Sequence, residues 1–194
     1  MKTFSKAKAQ KGNYLLSIGI GIMIMMILAV WGIPKIKGYL VEGAIPSVAE
    51  EIQRFIARVK VTTADNGTTP YTGLSQITFA RAVKGSSLQV GDIAGQGKGE
   101  TVVRHGLGGG DAGTVLLATT GATFSLTFAK VSDSACPGLA ASLQRSVDSI
   151  SINGKAVKTT GANNVVSLAY IAGTAAMSCV DGDENLFLFT INRN

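Results

Sequence analysis

Few residues in this chain have types that could do chemistry: one histidine, His105, two cysteines, Cys136 and Cys179, an acidic turn VDGDEN and two glycine-rich stretches. A general base needs a nucleophile or a carboxylate at a motif spacing. His105, in VVRHGLGGG, has none and reads as a surface or hydrogen-bonded histidine. Asp181, Asp183 and Glu184 resemble half of a calcium loop, but the remaining ligand positions are missing, so the stretch reads as a solvated turn. GQGKGE and HGLGGGDAG contain neither Gly-Lys-Ser/Thr nor a GxGxxG opening a helix after a strand, so they read as flexible surface loops rather than a phosphate cradle. The cysteines leave two chemistries open. In an oxidising compartment they would form a bridge, and in the cytosol they would need metal partners that a chain with one histidine and no CxxC poorly supplies. The expectation is a non-enzyme with no catalytic residue, cofactor or metal.

What positions these residues begins with charge. The formal net charge is +6, yet Lys2, Lys6, Lys8 and Lys11 lie in an acid-free leader, and without them 14 basic residues face 12 acidic ones. The basicity therefore belongs to the leader, and nucleic-acid binding loses its main support. From Asn13 to Pro34 there is no charge at all. Tyr14–Ile33 would make about 30 Å of helix, enough to span a bilayer. A cleavable secretory signal has a shorter core and a small-x-small site, neither of which is present. Lysines before the run outnumber Lys35 and Lys37 after it, which places the leader in the cytoplasm and the rest outside. A signal anchor and an assembly segment both remain open.

Lys11-Gly12 stands at the cytoplasmic boundary, where a peptidase removing only a short basic leader would leave the apolar segment in the product. Gly19, Gly21 and Gly32 permit close helix approach, and Pro34 would kink or locally open a helix. Gly38, Gly43 and Pro46 extend that expectation of a bend or loosened turn over residues 32–46. Ser47-Val48-Ala49-Glu50 reads as a capping box that starts a second helical segment. There Val48, Ile52, Phe55, Ile56 and Val59 share one face, expected to lie on a sheet.

The N-terminal stretch QKGNYLLSIGIGIMIMMILAVWGIPKIK resembles that of type IV prepilins. By that resemblance a prepilin peptidase cuts between Gly12 and Asn13, the amino group of Asn13 is N-methylated, and Pro34 marks where the helix loses regularity in a fibre. The family's glutamate five residues into the mature chain is Ser17 here, and its large apolar first residue is Asn13. FSLTFAKVSDSACPGLAASLQRSVDSISINGKAV is similar to the corresponding stretch of type IVb pilins, which include toxin-coregulated, bundle-forming and conjugative thin-pilus subunits. In that subclass the cysteine pairs with one near the C-terminus, which implies Cys136–Cys179.

The remaining elements are read from pattern. A loop after Lys60 precedes a short helix over residues 74–82; strands are expected at 100–105, 114–119 and 122–131, a helix over 136–147, and strands at 149–152 and 155–158 flanking the hairpin signal Asn153-Gly154. NLFLFTI, 185–191, closes the chain as a strand. In the strand over 122–131, Phe124, Leu126 and Phe128 alternate with Ser125, Thr127 and Ala129, so one face is expected buried and the other wet.

The expected fold is α+β, a long N-terminal helix packed on an antiparallel sheet with one disulfide. Its parts are a leader (1–12), the helix (13–60, with 13–34 in membrane or fibre core and 46–60 on the head) and the head (61–194). The implied protein is a structural subunit, anchored in the bacterial inner membrane and then polymerised with identical subunits into an extracellular pilus. Its implied partners are a prepilin peptidase, an inner-membrane assembly platform and an ATPase. The rivals are a minor pilin or pseudopilin and an unprocessed membrane-anchored adhesin.

Overall fold

The computed structural model describes residues 14–64, 67–91, 101–161 and 165–193, with the backbone alone at 32–35. The chain divides into two compact units, Met1–Lys37 and Gly38–Asn194. A single helix, α1 (Tyr14–Thr62, 49 residues), contributes to both. The expected loosened turn over 32–46 is absent, because helix is continuous there. At Pro46 the reason is visible: Val41, Ile45, Val48 and Ala49 are all buried on either side of it. Burial of apolar side chains at about 1.5–3 kcal/mol for each large one outweighs the roughly 3 kcal/mol that an internal proline costs. Ser47 is likewise not a cap. It lies inside the helix, and its hydroxyl donates back to the Ala44 carbonyl at 2.9 Å.

The apolar face read from Val48 to Val59 is buried as expected, and Val41 and Ile45 continue it upstream. It lies over a mixed core to which a six-stranded sheet supplies most of the aromatic side chains. The strands are β3 (Val115–Thr119), β4 (Thr123–Val131), β5 (Ser149–Ile152), β6 (Lys155–Thr160), β7 (Val166–Leu168) and β8 (Asn185–Asn192), in the order β3-β4-β8-β5-β6-β7 with every pair antiparallel. The last strand is therefore central. Phe187, Phe189 and Ile191 point inward beside Phe124, Leu126 and Phe128 of β4, all essentially fully buried. Phe55 of α1 meets Phe124 edge-on, with ring centroids 6.2 Å apart. The other face of β4 is half-buried rather than wet, because β3 and β8 flank it closely on both sides.

Among the described residues the head also has three shorter α-helices. α2 (Gln76–Val83) starts at Ser75, whose side chain and that of Thr78 form a reciprocal capping box. α3 (Cys136–Leu143) stops four residues short of the expected end at Val147. The Lys158 amine donates to the carbonyls of Gln144 and Val147, each at 2.5 Å, and so terminates the last turn. α4 (Ala172–Ala176) was not anticipated. The strand expected at 100–105 shrinks to β2 (Val103–Arg104), which pairs with β1 (Gln89–Val90) apart from the main sheet.

Candidate assembly surfaces

In the first unit the surface is the apolar half of α1. An 18-residue window there has a mean hydropathy of 2.4 and none of it is buried within the molecule, so this helix is long and apolar enough to cross a membrane. Ile18, Gly21, Ile22, Met25, Met26 and Ala29 recur at helical spacing and line a shallow depression of about 510 Å³. Gly21 leaves the backbone bare there, and a Cβ added to it would meet only open space. Ser17 is exposed, one turn before Gly21. Pro34 lies within the helical span of α1. Gly12 and Asn13 fall outside the described residues.

In the second unit Cys136, at the start of α3, is joined to Cys179 by a disulfide, with the Cα atoms 6.1 Å apart. The bridge closes the segment that carries α3, β5, β6, β7 and α4 onto the approach to β8. The side of α3 facing α1 is a close fit: a Cβ on Gly138 would come within 2.7 Å of Ile45 Cδ1. Further along, the Gln53 amide donates to the Ser142 carbonyl at 2.8 Å.

Around the bridge an amide pair, exposed Asn153 and buried Asn185, organises three loops. Asn185 is fully buried; its amide N–H₂ donates to the carbonyls of Val131 and Val180, and its oxygen accepts from the Val180 N–H and from the Asn153 amide. Every donor and acceptor site of that side chain is thereby used. Asn153 in turn donates to the Ser178 carbonyl and accepts from the Leu186 N–H. Asn153 and Gly154 both have positive φ, 52° and 79°, in the hairpin between β5 and β6 that Asn-Gly predicts. The backbone role was legible in the sequence, whereas the side-chain role of Asn153 and the part played by Asn185 were not. The one available signal was an asparagine opening an otherwise apolar strand.

The glycine stretch HGLGGGDAG is not a flexible loop. Leu107, Gly108 and Gly113 are buried, and a Cβ on Gly113 would overlap the Gly108 carbonyl oxygen. His105 holds this loop from inside: Leu107 N–H donates to its Nδ1 at 2.9 Å, and its Nε2–H donates to the Ala129 carbonyl at 2.8 Å. It stacks on Phe128 with centroids 5.6 Å apart. Burial pushes the imidazole pKa down, outweighing the opposing pulls of the Ala129 carbonyl and the Asp183 charge. Both nitrogens are committed, which suits a neutral structural ring. GQGKGE, 95–100, lies outside the described residues. In VDGDEN, Asp183 accepts from the Gly109 N–H at 3.0 Å and Glu184 pairs with Lys130. Among the described residues no cluster of His, Cys, Asp and Glu is arranged to hold a metal ion.

An apolar helix without internal cover, running into an α+β head stapled by one disulfide, is the build of a pilin subunit. The model of the family described as PilS N terminal matches residues 47–192, more than half the chain, and the protein belongs to that family of type IVb pilins. The crystal structure of the type IV b pilin from Salmonella typhi is similar at 21% identity and a TM-score of 0.47, covering 76% of this chain and 98% of that one. No curated protein matches the chain.

Proposed function

We propose that this chain is the structural subunit of an extracellular type IVb pilus, made as a membrane-anchored prepilin, cut after Gly12 and polymerised through its apolar helix. The observation that carries the reading is the apolar half of α1, uncovered in the isolated subunit, while one face of the other half, from Val41 to Val59, is buried under the head. In the precursor, residues 13–34 sit in the inner membrane with the leader (1–12) cytoplasmic, while the end of α1 (46–60) packs on a head made by 61–194. On assembly the apolar segment exchanges lipid for copies of itself. Dehydration then contributes little, and close packing at small residues such as Gly21 must hold the helices together. Prepilin peptidase, an inner-membrane platform and an ATPase are the partners this requires, and Asn13 would carry the N-methyl group.

Ser17 favours a second reading, a minor pilin or pseudopilin at a tip or base, because the family's assembly carboxylate is missing there. N-terminal sequencing of protein recovered from cells is the first test. A start at Asn13 is expected, and an intact Met1 would sink the prepilin reading in favour of an unprocessed anchor. Negative-stain microscopy of sheared surface material separates the other two. Fibres built of this chain are expected, and their absence would favour the minor subunit. Ser17→Glu should change fibre yield, and unaltered piliation would remove the position from the assembly argument.

A further inference from the structure

One groove in the head has the lining of a receptor site. At the C-terminal end of α1 a cavity of about 330 Å³ is lined by Val61, Thr63, Ala64, Pro70 and Tyr71, with Lys60 and Arg193 as its cations. Among the described residues no carboxylate lines it. The Asp148 charge reaches Tyr71, but a carboxylate oxygen of Asp148 already accepts the Asn192 N–H at 2.7 Å. Lys60 and Arg193 make no ion pair among the described residues. The pocket therefore fits a group that is apolar over most of its surface and carries one negative charge.

The opposite end of the same unit carries such a group. Gly38 lies against Ser134, and Asp133 N–H donates to the Gly182 carbonyl at 2.9 Å, so the corner after Cys179 sits beside the first turns of the head's share of α1. From Gly38 to Thr62 the helix rises about 36 Å. At that corner Val180 is 47% exposed and Met177 77% exposed. Glu184 and Asp183 are engaged with Lys130 and Gly109, whereas Asp181 is exposed and makes no ion pair among the described residues.

We propose that the Lys60–Arg193 pocket of one subunit receives the Val180–Asp181 corner of a second copy. Asp181 would lie between the two cations, and Val180 would rest on the apolar floor. The two half-sites lie at opposite ends of one unit and differ in chemistry, so the contact is head-to-tail and does not close on itself. This rests on the polymer reading above, and it adds the residues through which successive heads recognise each other.

Zero-length carbodiimide coupling of wild-type fibres, followed by digestion and mass spectrometry, tests it directly. The expected product is an amide between Lys60 and Asp181, which must join two subunits because the sites are too far apart within one. Charge reversal supplies a second arm: Asp181→Lys, or Lys60→Glu with Arg193→Glu, should lower fibre yield about tenfold, and combining the three changes should restore it. Wild-type fibres that give no such cross-link overturn this contact while leaving the pilus reading standing. A charge-reversal loss that the combined variant fails to rescue overturns it as well. A wild-type chain that forms no fibre at all would instead remove the major-pilin reading, and this contact with it.

Discussion

His105 shows how a residue of catalytic type comes to be structural. It is the only histidine in the chain, it is fully buried, and its two ring nitrogens are spent on Leu107 and Ala129. Because the folded state holds the ring neutral, its pKa lies below the value of about 6.5 expected for the unfolded chain. As pH falls through that value the unfolded chain takes up a proton that the folded chain refuses. Stability is thus complete above about pH 7.5 and is lost as the pH drops below 6.5, at no more than roughly 1.4 kcal/mol per pH unit. Urea titrations of the detergent-solubilised chain between pH 8 and 5 should show this fall, and a flat profile would mean that the ring is not held neutral. The glycines that His105 pins invite a paired test. Gly113→Ala drives a Cβ into the Gly108 carbonyl, with no flexible side chain to yield, and should cost more than about 3 kcal/mol. Gly110→Ala meets open space and bears only the cost of its positive φ of 55°, about 1 kcal/mol. Equal melting temperatures for the two variants would contradict the close-packed account of this loop.

At the scale of elements, the two edges of the sheet are treated differently. Gln76, in the first turn of α2, donates to the carbonyls of Val115 and Thr101 and accepts the Leu117 N–H at 2.7 Å. One side chain thus does the work of a neighbouring strand along β3, which is also why the stretch before His105 cannot extend its pairing there. Gln76→Ala should leave those groups unpaired, cost about 1–3 kcal/mol and expose an edge that other chains can join. A melt together with light scattering on heating would show both effects, and a variant as stable and as soluble as the parent would refute the plug. This contact was invisible in the sequence because it joins residues about forty positions apart and depends on an amide that looks like any surface glutamine. What was legible had local causes: the alternation of β4, the Asn-Gly hairpin, the α1 face from Val48 to Val59 and the segment opening at Cys136. What was misread was set by distant partners. Lys158 ended α3 early, the buried neighbours of Pro46 kept α1 helical, and close backbone contacts turned an apparently flexible glycine run into packed structure. Of the candidate site, the long uncharged helix was plain from composition. The Asn153–Asn185 lock around the disulfide was not, because neither asparagine carries a pattern of its own.

For the whole molecule, topology makes the disulfide more than a local clasp. β8, the last strand, is inserted between β4 and β5, so the centre of the sheet cannot form until the chain end arrives. Between Cys136 and Cys179 lie the β5–β6 hairpin, whose β5 pairs with β8, and the edge strand β7, whose three residues are all exposed. The bridge closes a separation of 43 residues. In the chain-entropy model a loop of that size stabilises the folded state by about 4 kcal/mol, chiefly by restricting the unfolded chain. β7 and α4 have little core of their own: in α4 only Ala175 is buried. They should therefore depend on the bridge more than β4 or β8 do. Reduction of the full chain in detergent is expected to lower the melting temperature by roughly 8–16 °C. Amide exchange should then rise first over 165–180, while Phe128, Phe187 and Phe189 keep their protection. An unchanged melting temperature would mean that the aromatic core alone holds the segment. Uniform loss of protection would mean that the head unfolds as one unit, and that the bridge stabilises the sheet as much as the segment it encloses.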